Sequence, residues 1–550
     1  MSSSQQSPPE QVDAVVVGAG FAGLYQLYRL RELGLSTRVF ETAGSVGGTW
    51  YWNRYPGARC DVESMAYSYS FSEELEQEWE WSERYATQPE ILRYARHVSE
   101  RFDLLKDIDF NTTVTGAVYD HLAHCWTVTT DSGERVTARF VIMATGCLSA
   151  ANLPRISGIG SFTGAIHHTA RWPHDGVDFT GKRVAVIGTG SSGVQSIPLI
   201  AEQAAELTVF QRTAHYTLPA RNRPLREGEI RERKAGYREF REELRRSPTG
   251  IPRELPARGA FEVTAEERES AYETAWDSGV LGALSTAFKD LLVSPAANET
   301  AAEFVRDKIR SAVADPVTAE ALCPRDYPLG TKRPCLDTDY YATYNKSHVR
   351  LVDLRTTPIE EITEQGVRTA DREYQVDAIV FATGFDALTG ALAAIDIRGR
   401  QGLALRDKWA AGPRNYLGLV TAGFPNLFTV TGPLSPSVLS NMMVSIEQHV
   451  EWITDCIAYL RRNGLTEIDT TAEVEDAWTE HVAEIASGTL YPQAASWYMG
   501  ANVPGKPRVF MPYLGGVGAY RVKCSEVAAD GYTGFTLSSC AVEWTEGVAL

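Results

Sequence analysis

The chain carries one short pattern twice, and that duplication restricts its fold more than any other feature. Asp13–Val17 is an apolar run, followed by Gly18-Ala-Gly20-Phe-Ala-Gly23 and then Leu24–Leu30 at helical spacing. Arg183–Ile187 is a second such run, followed by Gly188-Thr-Gly190-Ser-Ser-Gly193 and a helical stretch to about Glu206. A further apolar strand closes each block, Thr37–Phe40 in the first and Leu207–Phe210 in the second. Strand, glycine turn, helix and strand form the frame in which G-x-G-x-x-G binds a dinucleotide. The first glycine permits a tight turn, the second lets backbone N–H groups approach a pyrophosphate, and the third lets helix and strand pack closely. One such motif is weak evidence. Two, each in the right frame, predict an α/β chain with two Rossmann-like dinucleotide-binding domains.

The copies differ where the difference carries information. In the first, Val39-Phe40-Glu41 places a carboxylate eighteen residues past the third glycine, where it accepts hydrogen bonds from ribose hydroxyls. The second reads Val209-Phe210-Gln211-Arg212-Thr213, an amide followed by a guanidinium. That change suits a 2′-phosphate, which a carboxylate would repel. The first site is therefore expected to take FAD (or NAD) and the second NADPH, on Gly188, Thr189, Gly190, Ser191, Ser192, Gly193 and Arg212. The alternative for Arg212 is a solvated surface arginine.

Phe140–Gly146 and Ala378–Gly384 are both apolar strands ending in Ala-Thr-Gly, and each is expected to close one nucleotide-binding unit. The chain then leaves the first domain near Gly146 and returns to it after Gly384. The expected domains are FAD-binding over 1–150 and 386–550, NADP-binding over 151–217 and 335–385, and a mainly helical insertion over 218–334. In the insertion Glu229–Leu244 is dense in charge, with Tyr237, Phe240 and Leu244 at helical spacing under a solvated face.

Composition excludes several partners. Lys and Arg total 53 against 70 Asp and Glu, a net charge of −17. An acidic chain disfavours nucleic acid and anionic membrane surfaces. No apolar run approaches the roughly 18 residues of a membrane span. The Ser-, Gln- and Pro-rich start, Met1–Gln11, has neither the basic start nor the apolar stretch of a signal peptide. The reading is a cytoplasmic protein with no protein partner evident. The eight cysteines include no two nearer than Cys323 and Cys335, twelve positions apart, which disfavours a CxxC redox pair or a clustered zinc site.

FAD and NADPH on one chain imply hydride transfer from nicotinamide to flavin, and without a cysteine pair oxygen is the acceptor that remains. The other motifs carry a resemblance. Phe162-Thr-Gly164-Ala-Ile-His-His168-Thr-Ala-Arg-Trp172-Pro173 resembles the FxGxxxHxxxWP signature of the flavin-dependent (type I) Baeyer–Villiger monooxygenases. Gly48-Thr49-Trp50 through Tyr55-Pro56-Gly57 to Asp61 resembles that family's second fingerprint, and Gly330-Thr-Lys332-Arg333-Pro334 its Lys-Arg segment. The likeness runs through Ser496-Trp497-Tyr498 to Arg508, and looks closest to the phenylacetone and steroid group.

The resemblance implies a ketone and O2 as substrates and an ester or lactone as product. That reaction passes through a deprotonated C4a-peroxyflavin and then an oxyanion, so a fixed cation is required. Arginine suits the task because it does not give up its proton. By resemblance that cation is Arg333, oriented by Asp61, although a purely structural ion pair is the alternative. Lys332 is implied to join Arg212 and Thr213 at the 2′-phosphate, and Trp497 to lie near the nicotinamide unless it is a core aromatic. His168 and Trp172 are read as linker residues, and His167 as a surface residue. Loop Gly432–Asn441 resembles a loop that lines the substrate pocket, but Leu434 stands where relatives usually have glycine. Val438, Pro334 and Val517 depart too, leaving substrate identity open. Two other readings stay open: an amine or sulfide oxygenase on the same scaffold, and a redox-sensing protein that holds FAD and NADPH without turnover.

Overall fold

The computed structural model describes residues 10–252 and 256–539. Most of the polar N-terminus and Cys540 lie outside the described residues. The two glycine blocks build two sheets. In the first, Glu10–Val17 lies between Thr37–Glu41 and Arg135–Met143, parallel to both. Ala14, Val15 and Val16 are buried on both faces, as the middle of a parallel sheet demands. Arg135–Met143 is shared: its start pairs with Cys125–Thr130, while its end pairs with Leu427–Thr429 from the far end of the chain. The second sheet is wholly parallel, in the order Val349–Asp353, Glu206–Gln211, Arg183–Ile187, Ala378–Phe381, Ala165–His168.

The same steric fit locks both units. Gly18 has φ +104°, and a Cβ there would stand 2.6 Å from the Ala144 carbonyl oxygen. Gly188 has φ +111°, and a Cβ would stand 2.5 Å from that of Ala382. Both alanines open an Ala-Thr-Gly exit, so the two repeats noticed in the sequence meet in space. The third glycines are barred from a side chain as well, since a Cβ on Gly23 or Gly193 would fall 1.8 or 2.4 Å from the carbonyl of the first glycine. Helices Phe21–Glu32 and Ser191–Gln203 then begin at Gly20 and Gly190 with no side-chain cap.

The helical insertion leaves from strand Thr217–Pro219 and returns on Cys335–Asp337, the two being paired in parallel. Among the described residues it builds no separate core. Helices Glu227–Ala235 and Tyr237–Arg246 lie on the first unit, where Tyr237, Phe240 and Leu244 join its core. Helices Ala265–Ser278 and Pro295–Ala312 complete the core of the second. The outer face of Tyr237–Arg246 is solvated, but Arg241 turns inward to Glu76 at 2.7 Å, both side chains 6% exposed. Burial raises the Glu76 carboxyl pKa, and Arg241 opposes the shift. Among the described residues no helix is long and apolar enough to cross a membrane.

Removing one partner of a buried ion pair strands the other. Arg241→Ala should therefore cost about 3–5 kcal/mol in urea unfolding. The double replacement Arg241→Met with Glu76→Gln should recover most of it; equal losses in both would show that packing, not charge, is what Arg241 supplies.

Candidate functional site at the junction of the two nucleotide units

Arg333 stands where the insertion returns to the second unit, and it is held on three nitrogens. Nε donates to Asp61 Oδ2 at 2.7 Å, Nη2 to Asp61 Oδ1 at 2.8 Å, and Nη1 to the Val438 carbonyl at 2.7 Å. Both side chains of the ion pair are 22% exposed. Burial works against the charge on Arg333, but Asp61 outweighs it and the pKa is raised above the ordinary arginine value. A guanidinium has five N–H donors. Three are taken and the Tyr498 hydroxyl engages a fourth, so one remains for an anion. His215, its pKa pushed down to about 4 mainly by burial, donates from Nε2 to the Arg333 carbonyl at 2.9 Å.

Lys332 points elsewhere. Its ammonium lies 4.3 Å from the centre of the Tyr327 ring, and its pKa is lowered to about 8, first by burial and then by the charge of Arg212. Arg212 is exposed, and among the described residues neither cation has a carboxylate within ion-pair distance. Two cations side by side without an ion-pair partner, with only the more distant charge of Asp326 acting on Lys332, are a site for an anion. The neighbouring turn is tied in as Thr189 Oγ1 donates to the Thr213 carbonyl at 2.9 Å.

At the first turn, Glu41 is buried and accepts N–H bonds from Ala19 (2.6 Å) and Ala43 (2.7 Å). Burial raises its pKa while those two bonds oppose the rise. Gly48 faces Gly20 closely enough that a Cβ would sit 3.0 Å from the Gly20 Cα. It leads into the short helix Thr49–Trp52, with Thr49 exposed and Trp50 buried. At the second turn a Cβ on Gly190 would meet nothing within 4 Å, so that backbone is open to a ligand. Ser191 Oγ accepts from Cys335 Sγ at 3.1 Å, and Ser192 Oγ lies 3.0 Å from Thr169 Oγ1. Trp497 is half-buried with its ring 4.2 Å from that of Tyr498, which is within electrostatic reach of Arg333.

His168 accepts from the Ala170 N–H at Nδ1 (3.0 Å), so Nε2 carries the proton and faces the Asn152 carbonyl at 3.4 Å. Trp172 lies in the second core. His167 corrects the sequence expectation of a surface residue: it is half-buried, 5.4 Å from the Trp172 ring and edge-on to Phe179. The cause is strand Ala165–His168, whose pairing with Ala378–Phe381 turns that side chain inward.

Several contacts were not foreseen. Gln195, on the helix after the second glycine turn, accepts from Tyr55 (2.8 Å) and donates to the Arg59 carbonyl (3.2 Å), so it grips the loop that carries Asp61. His215 and the Val438 carbonyl carry no signal of their own, because nothing in a sequence reports which distant backbone oxygen an arginine will meet. The free thiols Cys60, Cys147 and Cys335 are buried within electrostatic reach of Arg333, with burial raising each pKa. Among the described residues no cluster of metal-binding side chains occurs.

Gly57 has φ +82°, and a Cβ there would lie 2.4 Å from the Gln195 carbonyl oxygen. Gly57→Ala should cost about 1–3 kcal/mol in urea unfolding, from backbone strain alone. Gln195→Ala should cost less, about 1 kcal/mol; the reverse order would show that the two units do not meet at this turn.

The family model for pyridine nucleotide-disulphide oxidoreductases matches residues 15–233, which span both glycine turns. A Baeyer–Villiger monooxygenase of Pseudooceanicola batsensis is 45% identical over 524 residues, 95% of this chain and 95% of that protein. A phenazine N-monooxygenase of Lysobacter antibioticus is 46% identical over 530 residues, 96% of this chain and 97% of that protein. A solved structure of oxidized steroid monooxygenase bound to NADP is 55% identical with a TM-score of 0.92, covering 96% of this chain and 100% of that one. Identity at this level, sustained over nearly the whole length, makes the chain a member of the Baeyer–Villiger monooxygenase family.

Proposed function

We propose that this chain is an NADPH- and O2-dependent ketone monooxygenase that inserts one oxygen atom beside the carbonyl to give an ester or lactone. The unit formed by 1–150 and 386–550 holds FAD, and the unit formed by 151–217 and 335–385 holds NADPH. When bound, the flavin accepts hydride from the nicotinamide and activates O2 for transfer to the ketone. The uncapped helix starts at Gly20 and Gly190, and the open space over Gly190, fit the two pyrophosphates.

The observation that carries the reading is Arg333, fixed on three nitrogens at the meeting of the two units. Its spare N–H can hold an oxyanion in place, and its raised pKa prevents it from protonating that anion. Asp61 orients it. Arg212, Thr213 and Lys332 take the 2′-phosphate, supported by the lack of an ion-pair partner for either cation, and Glu41, Gly48, Thr49 and Trp50 frame the flavin nucleotide. Trp497 closes over the nicotinamide side.

Oxidation of a heteroatom is the second reading, favoured by the phenazine N-monooxygenase relative. Such a step needs no base-stable cation beside the oxygen donor. Arg333→Ala should therefore keep NADPH-dependent flavin reduction, measured by stopped-flow absorbance, and lose ester formation by at least about a hundredfold. Retained ester would remove Arg333 from the reaction. Sulfide turnover well above turnover of a panel of cyclic, aryl and steroidal ketones would favour the second reading.

The lowered pKa of Lys332, about 8, sets a pH dependence. Just below it Lys332 is charged in the free protein and NADPH affinity is flat, down to about pH 7, where the 2′-phosphate begins to take up a proton. Above the Lys332 pKa the free protein must take up a proton to bind, because a bound phosphate raises the pKa again. The NADPH Kd should weaken by up to about tenfold per pH unit above 8, with NADH unaffected; parallel curves for the two would exclude Lys332 from the 2′-phosphate site.

A further inference from the structure

The loop that gives Arg333 its third contact is strained. Thr431, Leu434 and Ser437 have φ of +53°, +65° and +39°, a left-handed conformation that costs non-glycine residues energy, most of all a β-branched threonine. Such strain persists only where surrounding bonds over-determine it. The Leu434 N–H donates to the Met511 carbonyl at 2.6 Å, and its own carbonyl accepts from Trp478 Nε1 at 3.1 Å. Ser437 Oγ donates back across the turn to the Thr431 carbonyl at 3.2 Å.

Asn415 Nδ2 and the Tyr513 N–H bond the Pro433 and Ser435 carbonyls, and the start of the strained turn is held by His449, which is wholly buried. Its Nδ1 accepts the Thr431 N–H at 2.8 Å. Burial, reinforced by the charge of Arg521, pushes its pKa down to about 3, so Nδ1 stays an acceptor at any working pH. His449 lies two turns into helix Met442–Arg462, whose N-cap is Asn441 at the loop's other end. One helix thus clasps the loop at both ends, and the Val438 carbonyl between them meets Arg333 Nη1 at 2.7 Å.

We propose that His449 is a positioning residue for oxygen transfer: by accepting the Thr431 N–H it locks the strained turn that presents the Val438 carbonyl to Arg333. The assignment rests on the reaction proposed above. His449 touches no reacting atom, and it acts through the loop on the orientation of the guanidinium.

The test compares His449→Leu, which removes the acceptor, with His449→Asn, whose Oδ1 replaces Nδ1, in the full-length FAD-loaded protein. In His449→Leu, amide hydrogen exchange over 431–441 should quicken by about tenfold or more. NADPH oxidation should stay within about threefold, while ester formed per NADPH falls about tenfold and peroxide rises to match. His449→Asn should recover both readouts. Adding Thr431→Gly to His449→Leu should slow the exchange again, because glycine adopts the turn without a clamp. If His449→Leu does not fold, Ser437→Ala, which cuts the bond across the turn, should give the same pair of changes. Unchanged exchange, equal damage from Asn and Leu, or a loosened loop with full ester yield would each overturn the proposal. Absence of ester from the wild-type protein on every ketone would instead refute the reaction, while the exchange comparison would still decide the clamp.

Discussion

The guanidinium of Arg333 joins parts of the chain that are far apart in sequence. Asp61 reaches it from the first nucleotide unit, the Val438 carbonyl from the C-terminal half, and Arg333 itself stands at the root of the insertion. The cost of burying that cation is offset because a carboxylate answers it on two nitrogens. That pairing needs the Asp61 loop and the second unit in register. The register comes from Gly57 and Gln195, where the lack of a side chain on one residue and the amide of another let loop and helix touch.

The parts legible in the sequence are those that local physical chemistry dictates. A glycine with φ above +100° pressed against a carbonyl oxygen admits no other residue, so Gly18 and Gly188 announce their turns in the letters themselves. The Ala-Thr-Gly exits were visible for the same reason, and the structure adds that they are the surfaces those glycines press against. Tyr237, Phe240 and Leu244 marked their helix by spacing, and all three are buried.

What stayed hidden is long-range or carried by the backbone. The insertion reads as one body because it is continuous in sequence, yet its helices divide between two cores. His167 looked exposed because the inward turn of its strand depends on pairing with residues some two hundred positions away. Gln195, His215 and His449 are ordinary letters on helix or strand flanks, and their importance lies in the distant backbone groups they hold.

The buried sulfurs beside Arg333 have a consequence for how long such a catalyst lasts. Thiolates, not thiols, are the form that peroxide attacks. Burial pushes the Cys335 pKa up to about 12 and raises those of Cys60 and Cys147 too, so all three remain protonated at neutral pH. On the role proposed for Arg333, every turnover in which reduced oxygen escapes transfer would release an oxidant next to these groups. On that reading the burial that raises these thiol pKa values would also keep the nearest nucleophiles inert toward the enzyme's own stray oxidant.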